Sequence, residues 1–139
     1  MARELTILER LRRGEEPSQR TAVEDTNLLG KSVQANVGRL LNARLEHAPA
    51  QPDYGVPAPS EIVYGYPSAV TRMQKHIKGL IDKYEPRLAD VEVIHIESDE
   101  RNQLTLQFQI QGRLCTSANS TWISFLTRFD PSGRISLRR

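Results

Sequence analysis

Apolar and polar side chains alternate without a break along Leu104-Thr105-Leu106-Gln107-Phe108-Gln109-Ile110-Gln111. This stretch indicates the fold class more clearly than any other. A period of two places successive side chains on opposite faces of a β-strand. One face of this strand is therefore expected to be buried, while the other carries threonine and glutamine side chains without charge. The segment predicts a sheet that packs a core on one side.

Strand character continues on both sides of this stretch. Residues 91–96 (VEVIHI) predict a strand that is apolar on much of both faces. Residues 122–129 predict another strand, and the turn cluster Asp130-Pro131-Ser132-Gly133 leads into a short terminal strand at residues 134–137. The last third of the chain is thus expected to form three to four short strands.

Two helices are expected before the strands. The first is predicted from about residue 27 to 45, after N-cap oxygens at residues 25–27, with an apolar stripe of Leu29, Val33, Val37, Leu40 and Leu41. The second is predicted over residues 68–84, with a stripe of Val70, Met73, Ile77, Ile81 and Tyr84. Pro86 ends it, because the residue before a proline is pushed out of the helical region. Two to three helices on a small, mostly antiparallel sheet of three to four strands make an α+β domain.

A long irregular segment separates the two helices. Residues 47–67 contain five prolines and the pairs Tyr54-Gly55 and Tyr64-Gly65, so they predict a loop with fixed turns. Loops of this length inside a compact domain are usually functional or ordered by a partner.

The N-terminal segment predicts a short amphipathic helix, because Leu5, Leu8 and Leu11 recur every three residues among arginines. Gly14 ends this helix, and residues 15–20, which include Pro17, predict a polar linker. We therefore divide the chain into a docking helix with its linker, residues 1–20, and an α+β domain, residues 21–139. The apolar stripe either folds back on the domain or docks into a partner, and the sequence leaves both alternatives open.

Composition excludes several classes of function. The chain has 139 residues, 38% hydrophobic and 6% aromatic, with a formal net charge of +2. Basic residues are mixed with acidic ones and form no stripe that would follow a nucleic acid backbone. The lone Cys115 favours a reducing compartment. No apolar run approaches the length of a signal peptide core or a membrane span, so we expect a cytoplasmic protein without direct membrane insertion.

The tripeptide Glu85-Pro86-Arg87 lies where the second helix turns toward the sheet. Proline restricts the backbone, so a carboxylate and a guanidinium are held in a preset relation at a corner. Such a fork suits ion pairing with complementary charges of a partner. The alternative is a helix stop whose charged neighbours are merely solvated.

Taken in order, these pieces resemble the family of contractile-phage baseplate wedge proteins, including its type VI secretion branch, the TssE subunits. The matching elements run through nearly the whole chain: Leu8-Glu9-Arg10-Leu11, Ser32-Val33, Asn36, Leu40-Leu41-Asn42-Ala43-Arg44, Tyr54-Gly55-Val56-Pro57, Tyr84-Glu85-Pro86-Arg87-Leu88, Val91, Val93, Thr127 and Gly133. The Glu-Pro-Arg element is the most specific. Val56 and Ala58 depart from the leucine and acidic residue of the family pattern.

The resemblance implies a structural subunit that binds TssF and TssG, neighbours TssK, and starts assembly of the TssB–TssC sheath. Glu85, Pro86 and Arg87 would lock it into the wedge, and Leu5, Leu8 and Leu11 would form a second docking stripe. It would offer a strand edge to the sheath. Residues Gln103 to Gln111 are one candidate edge and Arg134 to Leu137 the other, although a polar solvent face explains the first equally well. A wedge adaptor of another contractile injection machine is the nearest alternative.

A lysozyme-like peptidoglycan hydrolase is the alternative from a different class, because members of this family have carried a lysozyme-related label. Such an enzyme needs two carboxylates across a cleft, and Glu61, Glu85 and Glu97 are the candidates. Arg87, two positions on, would pair with Glu85 and spoil it as a general acid, and no pair is set by spacing. His47, His76 and His95 lack metal-ligand spacing, so we expect no enzyme activity, cofactor, metal or small-molecule substrate.

Overall fold

The computed structural model describes residues 5–13, 25–44, 49–57, 67–97, 105–116, 120–130 and 132–139. Within these ranges, helices precede strands, as the sequence predicts for an α+β fold. The helices are α1 (Ile7–Arg13), α2 (Thr26–Asn42) and α3 (Ser68–Tyr84). The strands are β1 (Leu88–Ile96), β2 (Leu106–Leu114), β3 (Thr121–Phe129) and β4 (Ile135–Arg138). The predicted fold class is confirmed.

The four strands form one sheet in the order β1-β2-β3-β4, and every neighbouring pair is antiparallel. The predicted turn after β3 is confirmed, since the amide of Asp130 donates to the carbonyl of Arg134 at 2.9 Å. Of residues 103–111, predicted as a candidate edge, residues 106–111 lie in β2, and for them the prediction is wrong. β2 lies between β1 and β3, so its backbone groups on both sides face a strand of the same sheet.

The core lies between the helices and one face of the sheet. Phe108, Ile110 and Phe125 of the central strands are fully buried against the stripes of α2 and α3. The alternation of apolar and polar residues along this strand accounts for the burial. It turns Phe108 and Ile110 inward and places the glutamines on the half-buried outer face, at positions 107, 109 and 111. The buried hydroxyl of Thr127 donates to the carbonyl of Phe108 at 2.7 Å, so it carries no unmet polar group into the core.

Helix α2 ends at Asn42, before the predicted boundary at 45, because the chain leaves it to pair with the following loop. The amide of Val56 donates to the carbonyl of Ala43 at 3.0 Å, and Arg44 forms a parallel bridge with Val56. Gly55 permits this approach. Its φ is 109°, and a Cβ atom placed there would lie 2.5 Å from the carbonyl oxygen of Ala43.

Residues 49–57 of the predicted loop are held against the C-terminal half of α3. Tyr54 packs edge-on against Tyr84 with ring centroids 5.0 Å apart. Asp53 accepts hydrogen bonds from Lys83 and Tyr84, and a ring nitrogen of His76 lies 2.8 Å from the carbonyl of Gly55. The predicted linker at residues 15–20, together with His47, Glu61 and Tyr64-Gly65, lies outside the described residues.

Candidate partner-binding site

The corner between α3 and β1 is fixed by backbone hydrogen bonds on both sides of Pro86. The amide of Glu85 still donates to the carbonyl of Ile81 at 2.8 Å, which completes the last helical turn. One residue beyond the proline, the carbonyl of Arg87 accepts from the amide of Cys115 at 2.8 Å, where β2 has just ended. The two charged residues therefore occupy a rigid turn between helix and sheet.

Glu85 and Arg87 pair with each other inside the domain. Glu85 is 1% exposed, and the side chain of Arg87 is 11% exposed. Nε of Arg87 donates to Oε1 at 2.8 Å and Nη2 donates to Oε2 at 2.9 Å, which is the two-point geometry in which guanidinium binds carboxylate best. Asn36 of α2 adds a third donor, with Nδ2 at 2.7 Å from Oε2. The buried carboxylate is thus fully hydrogen-bonded.

A third hydrogen bond of the guanidinium connects this corner to α2. Nη1 of Arg87 donates to Oγ of Ser32 at 2.9 Å, and Ser32 is itself buried. The hydroxyl of Ser32 then donates to Oε2 of Glu9, in α1, at 2.7 Å. We call Glu85, Arg87, Ser32 and Glu9 the polar relay. It joins α1 and α2 to the corner between α3 and β1.

Glu9 also builds the beginning of α1. Its Oε2 accepts from the amide and the hydroxyl of Thr6, both at 2.9 Å, which forms a capping box. Arg39 approaches Oε1 at 4.0 Å. Partial burial by itself raises the pKa of Glu9, but the hydrogen bonds from Ser32 and Thr6 and the charge of Arg39 outweigh it and lower the pKa.

Helix α1 therefore contacts α2 through its polar side and turns its apolar side outward. Leu8 is 77% exposed and Leu11 is 74% exposed, and Ile7 beside them is also exposed. Leu5 is half-buried just before the helix. We call Ile7, Leu8 and Leu11 the outer stripe. The sequence leaves open whether the apolar stripe folds back on the domain or docks into a partner. In the structure, α1 lies against the domain and the outer stripe remains exposed to solvent.

The predicted site residues thus separate into two groups. Glu85 and Arg87 lie inside the domain and satisfy each other, while Pro86 between them is exposed, as are Leu8 and Leu11. Ser32 and Asn36 were not predicted as parts of the site. Their signal is present in the sequence, since both are polar residues one helical turn apart beside the apolar stripe of α2.

The glutamates considered for hydrolysis do not form a described pair. Glu85 is buried with its carboxylate oxygens hydrogen-bonded, so it has no access to a glycosidic oxygen. Glu97 is exposed at the end of β1, and Glu61 is outside the described residues. Among the residues that the structure describes, no group of three or more His, Cys, Asp or Glu is placed to hold a metal ion, and no helix is long and apolar enough to cross a membrane.

Comparisons with known proteins give a family match and a fold match. The model of a family described as baseplate wedge protein gp25 matches residues 28–119, which is well over half of the chain. A solved structure described as the baseplate complex from the type VI secretion system contains a chain with the same fold. The match has a TM-score of 0.60 and 20% sequence identity, and it covers 73% of this chain and 94% of that chain. A search of curated proteins finds no significant match.

Proposed function

The chain belongs to the baseplate wedge protein gp25 family, and from this premise we propose that it is a structural subunit of a type VI secretion baseplate. In this role it works by contact and catalyses no reaction. It acts in the cytoplasm, where the baseplate docks at the inner face of the inner membrane complex. The fold match to a chain of a type VI baseplate complex favours the secretion branch over the alternative of another contractile injection machine.

The observation that carries the proposal is the outer stripe. Leu8 and Leu11 are about three-quarters exposed, although α1 is hydrogen-bonded to the domain. Their apolar surface therefore remains in contact with water. Moving a fully exposed leucine side chain out of water is favourable by roughly 1.5–3 kcal/mol, so this surface favours contact with a partner. We infer that Leu5, Leu8 and Leu11 dock against TssF and TssG, with Glu85, Pro86 and Arg87 behind them, and that TssK joins the same assembly.

Capture of co-expressed TssF and TssG tests this role. The tagged wild type is expected to retain both proteins, and the surface variant Leu8→Ser with Leu11→Ser is expected to lose them while it stays folded. Ile94→Ser is the matched control, because it removes another exposed apolar side chain, on the outer face of β1. No capture by the wild type refutes the wedge role and directs attention to a muramidase assay.

The proposed contact with the TssB–TssC sheath is a strand edge, and two parts of the sheet edge are protected. Along β1, side chains of α3 bond the outer carbonyls: Gln74 donates to Val93 at 3.1 Å and Lys78 to Val91 at 2.8 Å. Along β4, the amide group of Asn42 bonds both the carbonyl and the N–H of Ile135, at 3.0 and 3.1 Å. Side chains that bind an edge in this way compete with an incoming strand.

One part of the edge has no such cover among the described residues. β4 pairs only with Leu126–Phe129, so the first half of β3 has a strand neighbour on one side alone. The N–H and C=O of Ile135 bond Asn42, so they point away from its partner Phe129 in β3. In an antiparallel pair the backbone groups of successive residues point alternately toward and away from the neighbouring strand. The N–H and C=O of Ser124 and Trp122 therefore point away from β2, toward the side of β3 that β4 does not cover. We propose that a sheath strand pairs there, in line with β4.

Sheath formation tests this edge. Ser124→Pro removes an N–H that points away from β2, at a position where an edge strand tolerates proline. Cells that carry this variant are expected to form far fewer fluorescent TssB–TssC sheaths, while the variant still captures TssF and TssG. Sheath numbers equal to the wild type would refute the edge at Ser124.

A further inference from the structure

The apolar side chains of α1 do not hold this helix against the domain, because they are exposed to solvent. An isolated helix of 7 residues is not stable in water, since nucleation is costly and few hydrogen bonds follow. Ile7, Leu8 and Leu11 point away from the domain. The described contacts between α1 and the domain are instead polar: Glu9 bonds Ser32 and lies near Arg39.

We propose that Glu85 and Arg87 are positioning residues for partner binding, which hold α1 through Ser32 and Glu9 so that the outer stripe faces outward. This proposal rests on the proposed function, in which the outer stripe is the docking surface. It assigns to the Glu-Pro-Arg corner an internal role, in place of direct ion pairing with a partner.

Ser32 is the residue on which this connection depends. A guanidinium can only donate and an ionised carboxylate can only accept. The hydroxyl of Ser32 therefore accepts from Arg87 Nη1 and must direct its own proton to Glu9 Oε2. An alanine at this position offers neither function, so the corner and α1 would no longer be joined.

The corner in turn fixes the guanidinium. Glu85 holds Nε and Nη2, and Asn36 holds Glu85 from α2, so Nη1 is aimed at Ser32 by bonds that burial protects from water. A docking surface that is ordered before binding avoids the cost of ordering it in the complex. Loss of the connection should therefore weaken binding although the outer stripe itself is unchanged.

The test combines a distance measurement with binding on the same proteins. Spin labels at Arg12→Cys and Lys75→Cys, both exposed positions, report the distance from α1 to α3 in a Cys115→Ser background. The wild-type residues at the polar relay should give a narrow distance distribution. Ser32→Ala should broaden it and weaken capture of TssF and TssG roughly tenfold. Gln34→Ala, on the same helix and outside the polar relay, should change neither.

The outcomes separate the proposal from the function on which it rests. If the wild type binds TssF and TssG and Ser32→Ala keeps either a narrow distribution or wild-type affinity, the positioning role is overturned and the wedge role stands. If the wild type does not bind them, the wedge role fails and the proposal falls with it. Arg87→Lys, which retains the charge but loses the forked donor, should repeat the effect of Ser32→Ala where it folds.

Discussion

Arg87 holds the carboxylate of Glu85 at two points, with Nε 2.8 Å from Oε1 and Nη2 2.9 Å from Oε2. The proline between them sets the turn that brings both side chains back toward α2, where Asn36 completes the pair. Removing one partner of a buried pair is strongly destabilising, because the remaining charge stays in the core without compensation. Substitutions at Glu85 or Arg87 are therefore expected to change the stability of the fold as well as partner binding.

A double-mutant cycle should measure strong coupling between these two residues. Glu85→Ala is expected to lower the free energy of unfolding by about 3–5 kcal/mol, and Glu85→Ala with Arg87→Ala by less than the sum of the two single changes. Urea denaturation measures each value. Lys78 and Asp82, 3.3 Å apart and about half exposed, are the control pair, with an expected coupling of about 0.3–0.5 kcal/mol. Equal coupling in both pairs would show that burial adds nothing to the interaction between Glu85 and Arg87.

Acid should release α1. The pKa of Glu9 is lowered in the folded protein, so its contribution to stability is complete above the unfolded glutamate pKa of about 4.3 and is lost as the pH falls through the lower folded value. Amide chemical shifts of Leu8 and Leu11 should move toward random-coil values as the pH falls from neutrality through this range. The titration can be followed residue by residue by NMR.

The control for this titration is Glu9→Gln, which has no carboxylate to protonate and should remove the pH response of α1. Asp53 also has a lowered pKa, mainly through its hydrogen bond from Lys83, but its effect should appear at the loop around Tyr54. A response of α1 that persists in Glu9→Gln would assign the transition to another group.

Two glycines should respond in opposite directions to the same change. Gly79 lies on the exposed side of α3, and a Cβ atom there meets nothing within 4 Å. Gly79→Ala should therefore raise the free energy of unfolding by about 0.5–1 kcal/mol. Gly55→Ala should lower it by roughly 1–3 kcal/mol, because Gly55 has a φ of 109° and approaches the backbone of Ala43. Thermal denaturation measures both variants. A lower stability of Gly79→Ala, or a higher stability of Gly55→Ala, would contradict the prediction.

Asn42 should protect the edge of β4. Its side chain bonds the N–H and the C=O of Ile135, so Asn42→Ala leaves both groups without their partner. Hydrogen exchange at the amide of Ile135 should become faster, and the free energy of unfolding should fall by about 1–2 kcal/mol. Gln109→Ala removes an exposed hydrogen bond to Ser124 and serves as the control. Unchanged exchange at Ile135 in Asn42→Ala would show that the edge is held by other means.

The bounds of α3 and the approximate positions of the strands could be predicted because their signals are local. A period of 3.6 or 2 is complete within one element, so Met73, Ile77 and Ile81, or Phe108 and Ile110, identify their own buried face. The end of α2 could not be predicted in the same way. The amide of Val56, from a distant loop, binds the carbonyl of Ala43 just after the helix, and no periodic pattern in α2 indicates that contact.

Strand order and the direction of the corner residues also depend on distant partners. The neutral glutamines of residues 107–111 fit an edge strand and a central strand equally well, because side-chain alternation says nothing about backbone neighbours. Glu85 and Arg87 were placed at the correct corner, yet the residues that turn them inward lie on α2, with Asn36 49 positions from Glu85 and Ser32 55 positions from Arg87. Only the pair Ser32 and Asn36 beside the apolar stripe of α2 signals this contact.

The wedge role is tested most directly by co-elution of the purified protein with TssF and TssG, with the composition of the peak determined by light scattering and mass spectrometry. One complex that contains all three proteins is expected, and the folded Leu8→Ser with Leu11→Ser variant should elute separately. Elution of the wild type apart from an intact TssF–TssG complex would contradict the claim that this chain is a wedge subunit.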